Sequence, residues 1–239
     1  MKPEITKKDA FRGLSTALII LGLWGANLFY GLTLDLGDIP VPTVIMVFIL
    51  QTFFYTGLFI TAHDAIHGVV FPVNKSINKF FGILSVTLYA LFNYKLLFAK
   101  HWDHHRYPGT PKDPDFNDGI HKGFWRWYFH FIFTYVNWKQ ILGMAIVFNI
   151  LHHFLGISVL NLLLFWVAPA LLSTLQLFFF GTFLPHRETN EPFKDDHRAR
   201  SNEYSTLLSF LTCYHFGYHW EHHEYPYLAW WKLPSSRKN

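Results

Sequence analysis

The stretch TVIMVFILQTFFYTGLFITAHDAIH, Thr43–His67, runs an uncharged apolar segment straight into two histidines four positions apart. A membrane-spanning helix needs about 20 predominantly apolar residues, and Thr43–Ala62 supplies them. His63 and His67 then share one face at the end of that helix, because positions i and i+4 lie one above the other. Two further clusters, HWDHH (His101–His105) and HWEHH (His219–His223), each set three imidazoles on one face through i, i+3 and i+4 spacing. Together the three boxes hold His63, His67, His101, His104, His105, His219, His222 and His223, eight of the 15 histidines. Neutral imidazole is a common ligand for Zn, Fe, Cu and Ni. Eight of them exceed what one structural or catalytic zinc takes, and suit two transition-metal ions that keep positions open for a small reactant.

Outward from the first box, Leu14–Leu34 is a second apolar run, separated from Thr43 by a turn with Asp35, Gly37, Pro40 and Pro42. Ile141–Leu155 reaches spanning length if it starts near Val136 with Lys139 snorkelling. Val159–Pro185 is long enough to cross with tilt, and Pro169 predicts a kink. All 20 Lys and Arg fall before Leu14, between Lys75 and Lys139, or from Arg187 onward, while the turns Asp35–Pro42 and Gly156–Ser158 carry none. By the positive-inside rule those two turns face outward, with both termini and all three boxes cytoplasmic. A fifth apolar run, Phe80–Ala99, is interrupted by Asn93 and Lys95 and has lysines at both ends, which predicts an interfacial or re-entrant helix rather than a span.

The expected fold is therefore an all-α integral membrane protein forming one domain over residues 1–239. Four transmembrane helices, about 14–34, 43–62, 136–155 and 159–185, pair as two hairpins. An interfacial helix at about 80–99 and a cytoplasmic helical cap complete it, the cap holding a histidine-rich di-metal site. Composition agrees: 51% of residues are hydrophobic, 20% aromatic and only 15% charged, against roughly 25% charged in soluble domains. The polar segment Met1–Arg12 leads into the first span with no small-residue cleavage site, so it reads as a cytoplasmic tail rather than a removable signal. The lone Cys213 rules out an intramolecular disulfide and any thiolate metal cluster. Net charge is +4, yet no basic stripe or RNA-binding signature accompanies it, and no nucleic-acid partner is expected.

With boxes and topology in view, the chain resembles the bacterial and cyanobacterial beta-carotene ketolases, within the wider membrane fatty-acid desaturase and hydroxylase superfamily. The matching stretches are TAHDAIHG (Thr61–Gly68), HWDHHRYPGTPKDPDF (His101–Phe116), FFFGTFLPHR (Phe178–Arg187) and YHFGYHWEHHEYPYLAWWKLP (Tyr214–Pro234). The resemblance implies two iron ions held by the eight box histidines. It implies oxygen-dependent oxidation of the C4 methylene of a beta-ionone ring, converting beta-carotene to echinenone and then canthaxanthin. In related desaturases and alkane hydroxylases an extra ligand comes from the segment where the last span emerges, which points to His186. The chain has neither a Rossmann fingerprint nor an iron–sulfur cysteine set, so electrons must come from a separate donor, which the family suggests is ferredoxin. A plasma or thylakoid membrane location follows.

Ligating histidines usually donate their other N–H to a carboxylate or carbonyl. Asp64, Asp115 and His215 are the expected outer partners, with Asp103, Asp113, Glu221 and Glu224 also near the boxes. Phe59, Phe98, Phe179 and Tyr214 are candidates to line the substrate path, against ordinary packing. His121, His130 and His197 have no partner at ligand spacing, and His152 and His153 sit far from the boxes. Within the superfamily, a carotenoid hydroxylase, fatty-acid desaturase or alkane hydroxylase shares the histidine pattern, and the flanking residues favour the ketolase. A metal transporter would place its ligands inside the spans near the midplane, where this chain has no charge.

Overall fold

The computed structural model describes residues 6–237. The first five residues of the N-terminal tail, and the last two of the chain, lie outside the described residues. The long helices are α1 (Lys7–Thr33), α2 (Val41–Ile66) and α7 (Val159–His186). Between them come α3 (Lys75–Ala90), α4 (Tyr94–Arg106), α5 (Phe124–Tyr135) and α6 (Trp138–His153). Two short helices, α8 (Thr206–Cys213) and α9 (His219–Glu224), follow. Among the described residues α1, α2 and α7 are each long and apolar enough to cross a membrane. The pairs α3–α4 and α5–α6 pass the same test only when each pair is counted as one.

Helix starts are written in short polar side chains. Thr6 and Asp9 form a reciprocal capping box, and Asn74, Asn93, Asn137, Ser158 and Ser205 each accept a backbone N–H of the first turn they precede. Two of these caps correct the hydropathy reading. The single helix expected over 80–99 is broken: Leu91 caps α3 in the left-handed region (φ 55°), Asn93 restarts the chain, and α4 leaves at 103°. The span expected from 136 to 155 is helical only over Trp138–His153, and Asn137 caps it where it meets α5 at 85°.

The expected kink at Pro169 takes another form. Helix α7 stays continuous but widens into two π turns, Leu163–Val167 and Phe179–Phe183. Each π turn holds the residue four before a proline, Pro169 or Pro185, whose ring would otherwise strike that residue's carbonyl.

Helix α2 is the centre of the bundle, packed against α1, α3 and α7. Its inward face carries Tyr55, Leu58 and Ile60, which meet Trp24, Tyr89, Leu162 and Trp166 in the largest apolar cluster. Several polar groups inside bond one another: Thr56 bonds Ser173 (3.0 Å) and Gln176 (2.6 Å), and Tyr89 donates to Ser173 at 3.0 Å. Asn161 caps the end of α1 by donating to the carbonyls of Gly31 (3.0 Å) and Leu34 (2.8 Å). Outward faces are apolar instead, with Leu18, Ile19 and Phe29 on α1, Ile45 and Ile49 on α2, Ile141 and Ile146 on α6, and Leu171 on α7 all exposed. Polar inside and apolar outside is the arrangement lipid requires, and the chain is a membrane protein.

Candidate metal centre

The boxes sit where helices end. His63 lies in the last turn of α2 and His67 caps it, α4 carries His101, His104 and His105, and α9 carries His219, His222 and His223. His186 closes α7. Their ring nitrogens gather into two groups of four: His63, His67, His101 and His222, and His104, His186, His219 and His223. Each group draws on more than one box, and the second and third boxes contribute to both. His105 stands between them, its Nε2 3.1 Å from that of His101 and 2.9 Å from that of His222, with its ring stacked on His223.

Inside the groups Nε2 faces Nε2. The separations are 3.1 Å for His63–His222, 2.7 Å for His67–His101, and 3.1 Å for both His104–His223 and His219–His223. Two lone pairs at that distance repel unless a proton or cation lies between them. Nitrogens bound at right angles to one cation, each at roughly 2.0–2.1 Å, would be about 3 Å apart. His186 adds a second test. Its Nδ1–H donates to the Arg198 carbonyl at 2.7 Å, which leaves the buried Nε2 as acceptor with no partner among the described residues. Burial, reinforced by the charge that neighbouring rings would carry, pulls His67, His219, His222 and His223 well below the ordinary imidazole range. They are neutral and free to ligate. The donor set fits transition-metal ions.

Carboxylates stand behind the rings, Asp64 beside His63 and the pair Asp113 and Asp115 beside His104. Asp113, not Asp115, takes the direct bond from His104 Nδ1 at 3.0 Å, while Asp115 is 3.7 Å away. The turn at Gly109 (φ 65°) lets its N–H reach Asp113 Oδ2 at 2.8 Å, and the Asp115 N–H reaches Oδ1 at 2.9 Å. Burial opposes ionisation of Asp113, but His104 and these N–H groups outweigh it and lower its pKa. Burial also opposes charge on His104, yet Asp113 and Asp115 outweigh it and raise it to about 9. The same negative charge that favours a second proton there favours a cation at Nε2. Asp115 is pushed up to about 6 by burial, with Asp113 adding to the shift, and accepts the Tyr135 hydroxyl.

Asp64 lies 3.6 Å from His63 Nδ1 and accepts the Trp230 N–H at 3.2 Å, tying the first box to the C-terminal segment. His215 does not join the cluster. Its ring stacks on Tyr218 and lies against Phe210 and Trp230, because Tyr214 and His215 both take positive φ and turn it away. Asp103 and Glu221 pair with Arg106 and Arg237, and Glu224 with His197. His121 and His130, without a partner at ligand spacing in the sequence, stack on one another at 5.1 Å beside Asp118.

Asn78 carries no signal in the boxes, yet it holds the first one in place. Its Oδ1 accepts the N–H groups of Val70 and Phe71 (both 3.1 Å), and its Nδ2 donates to the Ala65 carbonyl at 2.8 Å. Its place near the start of α3, just after the helix-free stretch that follows the first box, is the local cue. Replacing Asn78 by Ala leaves the buried N–H groups of Val70 and Phe71 unpaired, and is expected to cost about 1–3 kcal/mol. Thermal unfolding of the purified protein would register it as a lowered midpoint, and an unchanged midpoint would show the loop is held otherwise.

A cavity opens against the cluster. His63, His101, His104 and His219 form one wall, and Phe59, Val86, Phe92, Leu97 and Leu177 form much of the rest. Of the four aromatics expected along the path, Phe59 lines this cavity, whereas Tyr214 stacks on Phe53 in the core.

The fatty acid desaturase family model matches residues 39–148 and 134–239. The beta-carotene ketolase of Paracoccus sp. (strain PC1) is 42% identical over 229 residues, covering 95% of this chain and 91% of that protein. Beta-carotene 4-ketolase 3 of Haematococcus lacustris is 37% identical over 255 residues, covering 95% and 79%. The zeaxanthin 4-ketolase of Chlamydomonas reinhardtii is 40% identical over 242 residues, covering 95% of this chain and 53% of that protein, so this chain spans about half its length. A buried histidine cluster at helix ends, a lipid-facing apolar exterior and these similarities lead to one assignment: the chain belongs to the fatty acid desaturase family, among its beta-carotene ketolases.

Proposed function

We propose that this enzyme oxidises the C4 methylene of a beta-ionone ring of beta-carotene to a ketone, yielding echinenone and then canthaxanthin. The observation that carries the reading is a wall of imidazoles exposed to an apolar cavity inside a lipid-facing bundle. Two successive hydroxylations at one carbon give a gem-diol, which loses water to leave the ketone. His63, His67, His101 and His222 would hold one iron ion, and His104, His186, His219 and His223 the other, with His105 between them. When bound, the iron pair supplies oxidising power drawn from dioxygen and from electrons of an external donor, ferredoxin by family.

The chain's own part is placement and exclusion of water. Phe59, Val86 and Leu177 present a dry, ring-sized surface to the substrate, and Phe216 packs on His63 and His219 to seal the wall. Asp113 holds the Nδ1 proton of His104, and the Arg198 carbonyl holds that of His186, so both rings keep Nε2 turned inward. A polyene dissolved in lipid reaches such a cavity without crossing water.

The same reading makes the chain a single membrane-embedded domain with four crossings, both termini and the metal centre being cytoplasmic in a plasma or thylakoid membrane. Lysines at both ends of α3–α4 and the absence of Lys and Arg from the two short turns support it. Expression in a bacterial host that accumulates beta-carotene tests the reaction. A shift to orange-red echinenone and canthaxanthin is expected, resolved by chromatography. Yellow hydroxylated products, or unchanged carotenoid in cells that contain the protein, would refute the substrate and reaction.

A further inference from the structure

Beyond the carotenoid cavity, a second cleft lies where α7 leaves the bilayer. Its floor is Phe180 and Leu184 and its rim is Arg187, Arg200, Ser201 and Asn202. Three observations give it the character of an anion site. First, neither Arg187 nor Arg200 has a carboxylate within ion-pairing distance among the described residues, and the two cations disfavour one another. The neighbouring acids are occupied elsewhere: Glu188 pairs with Lys122 at 2.8 Å and Glu221 with Arg237 and Ser201, leaving Glu191 alone to offset Arg200 in part.

Second, Arg200 is fixed in place by donating to the carbonyls of Arg187 (2.8 Å) and Glu191 (2.6 Å), whereas the Arg187 guanidinium rests only on the Phe183 ring. Its donors point at nothing else described. Third, Asn202 lines the cleft, and its Nδ2 is buried with no hydrogen-bond partner among the described residues. An unpaired buried amide is costly unless something fills the cleft.

We propose that this cleft binds the phosphate of an anionic phospholipid, with Arg187 and Asn202 as donors and the acyl chains running along Phe180 and Leu184 into the bilayer. The position chooses lipid over a free ion. Arg187 directly follows the span's last residue, where headgroups lie, and the floor below it is apolar. The site also touches the metal centre through the backbone. Asn202 N–H donates to the Gly217 carbonyl at 2.9 Å, and Ser201 accepts the Trp220 N–H at 3.1 Å while bonding Glu221, so a lipid here braces the third histidine box.

The test uses the full chain in nanodiscs of phosphatidylcholine, with or without phosphatidylglycerol. Phosphatidylglycerol is expected to raise the thermal unfolding midpoint and to stay bound through delipidation in native mass spectrometry. R187Q, which removes a side chain with no structural bond, should cut that retention about tenfold, the loss of one charge-assisted contact, and R187K should restore it. Inorganic phosphate added to phosphatidylcholine discs should give no protection. Equal retention of phosphatidylcholine, unaltered retention in R187Q, or full protection by inorganic phosphate alone would each overturn the proposal. Lipid retention is read without any assay of ketone formation, so its failure leaves the proposed reaction untouched.

Discussion

Alanine in place of any one of His63, His67, His101, His104, His105, His219, His222 or His223 is expected to abolish ketone formation while the protein still folds and inserts. The loss should exceed the roughly 10–100-fold that follows removal of an outer partner of a ligand, because here the ligand itself goes. His186→Ala should behave in the same way. Folding should survive because these rings contribute little apolar packing to one another. Facing lone pairs at 2.7–3.1 Å stabilise nothing without a cation, so deleting one ring removes a repulsion as well as a contact.

Metal analysis separates the groups. His67→Ala should drain the set formed with His63, His101 and His222, and His186→Ala the set formed with His104, His219 and His223, each variant keeping about half the metal of the parent. Substantial ketone from several such variants would show that the cluster is not the metal site. His121→Ala is the control of choice. Its contact with Asp118 is open to solvent, where an ion pair contributes little, so activity should be unchanged. His197 is a poorer control, because its ring lies 5.9 Å from that of His223.

The parts of this protein that depend on helical periodicity were legible in its sequence. The spacing of His101, His104 and His105 needs only a helix to put three rings on one face, and α4 provides it. Which ring meets which was not legible. His67 faces His101 and His63 faces His222 across sequence separations of 34 and 159 residues, and only the packing of α2 against its neighbours sets those pairings. Hydropathy also merged what capping divides. Phe80–Ala99 reads as one helix interrupted at Asn93 and the run from Val136 as one span, but Asn93 and Asn137 offer their side chains to the next turn and open sharp angles there. Asp113 was hidden by a rival two residues away, and what distinguishes it is the Gly109 turn that aims an N–H at its second oxygen.

That distinction can be measured. Asp113 accepts three donors: His104 Nδ1 and the Asp115 N–H at Oδ1, and the Gly109 N–H at Oδ2. An asparagine has one acceptor oxygen. If it serves His104, its amide N–H faces the Gly109 N–H, and if it serves Gly109, the His104 proton loses its acceptor and the ring its fixed tautomer. Asp113→Asn is therefore expected to weaken metal retention and ketone yield by about 10–100-fold, the usual cost of losing an outer carboxylate. Asp115→Asn should cost far less. Its carboxylate is 3.7 Å from His104, and an amide oxygen still accepts the Tyr135 hydroxyl. Chelator competition on the two purified variants, read beside product yield, ranks them directly. If Asp115→Asn proved the more damaging, the proton on His104 would be held from the other side, and the turn at Gly109 would lose its part in the metal centre.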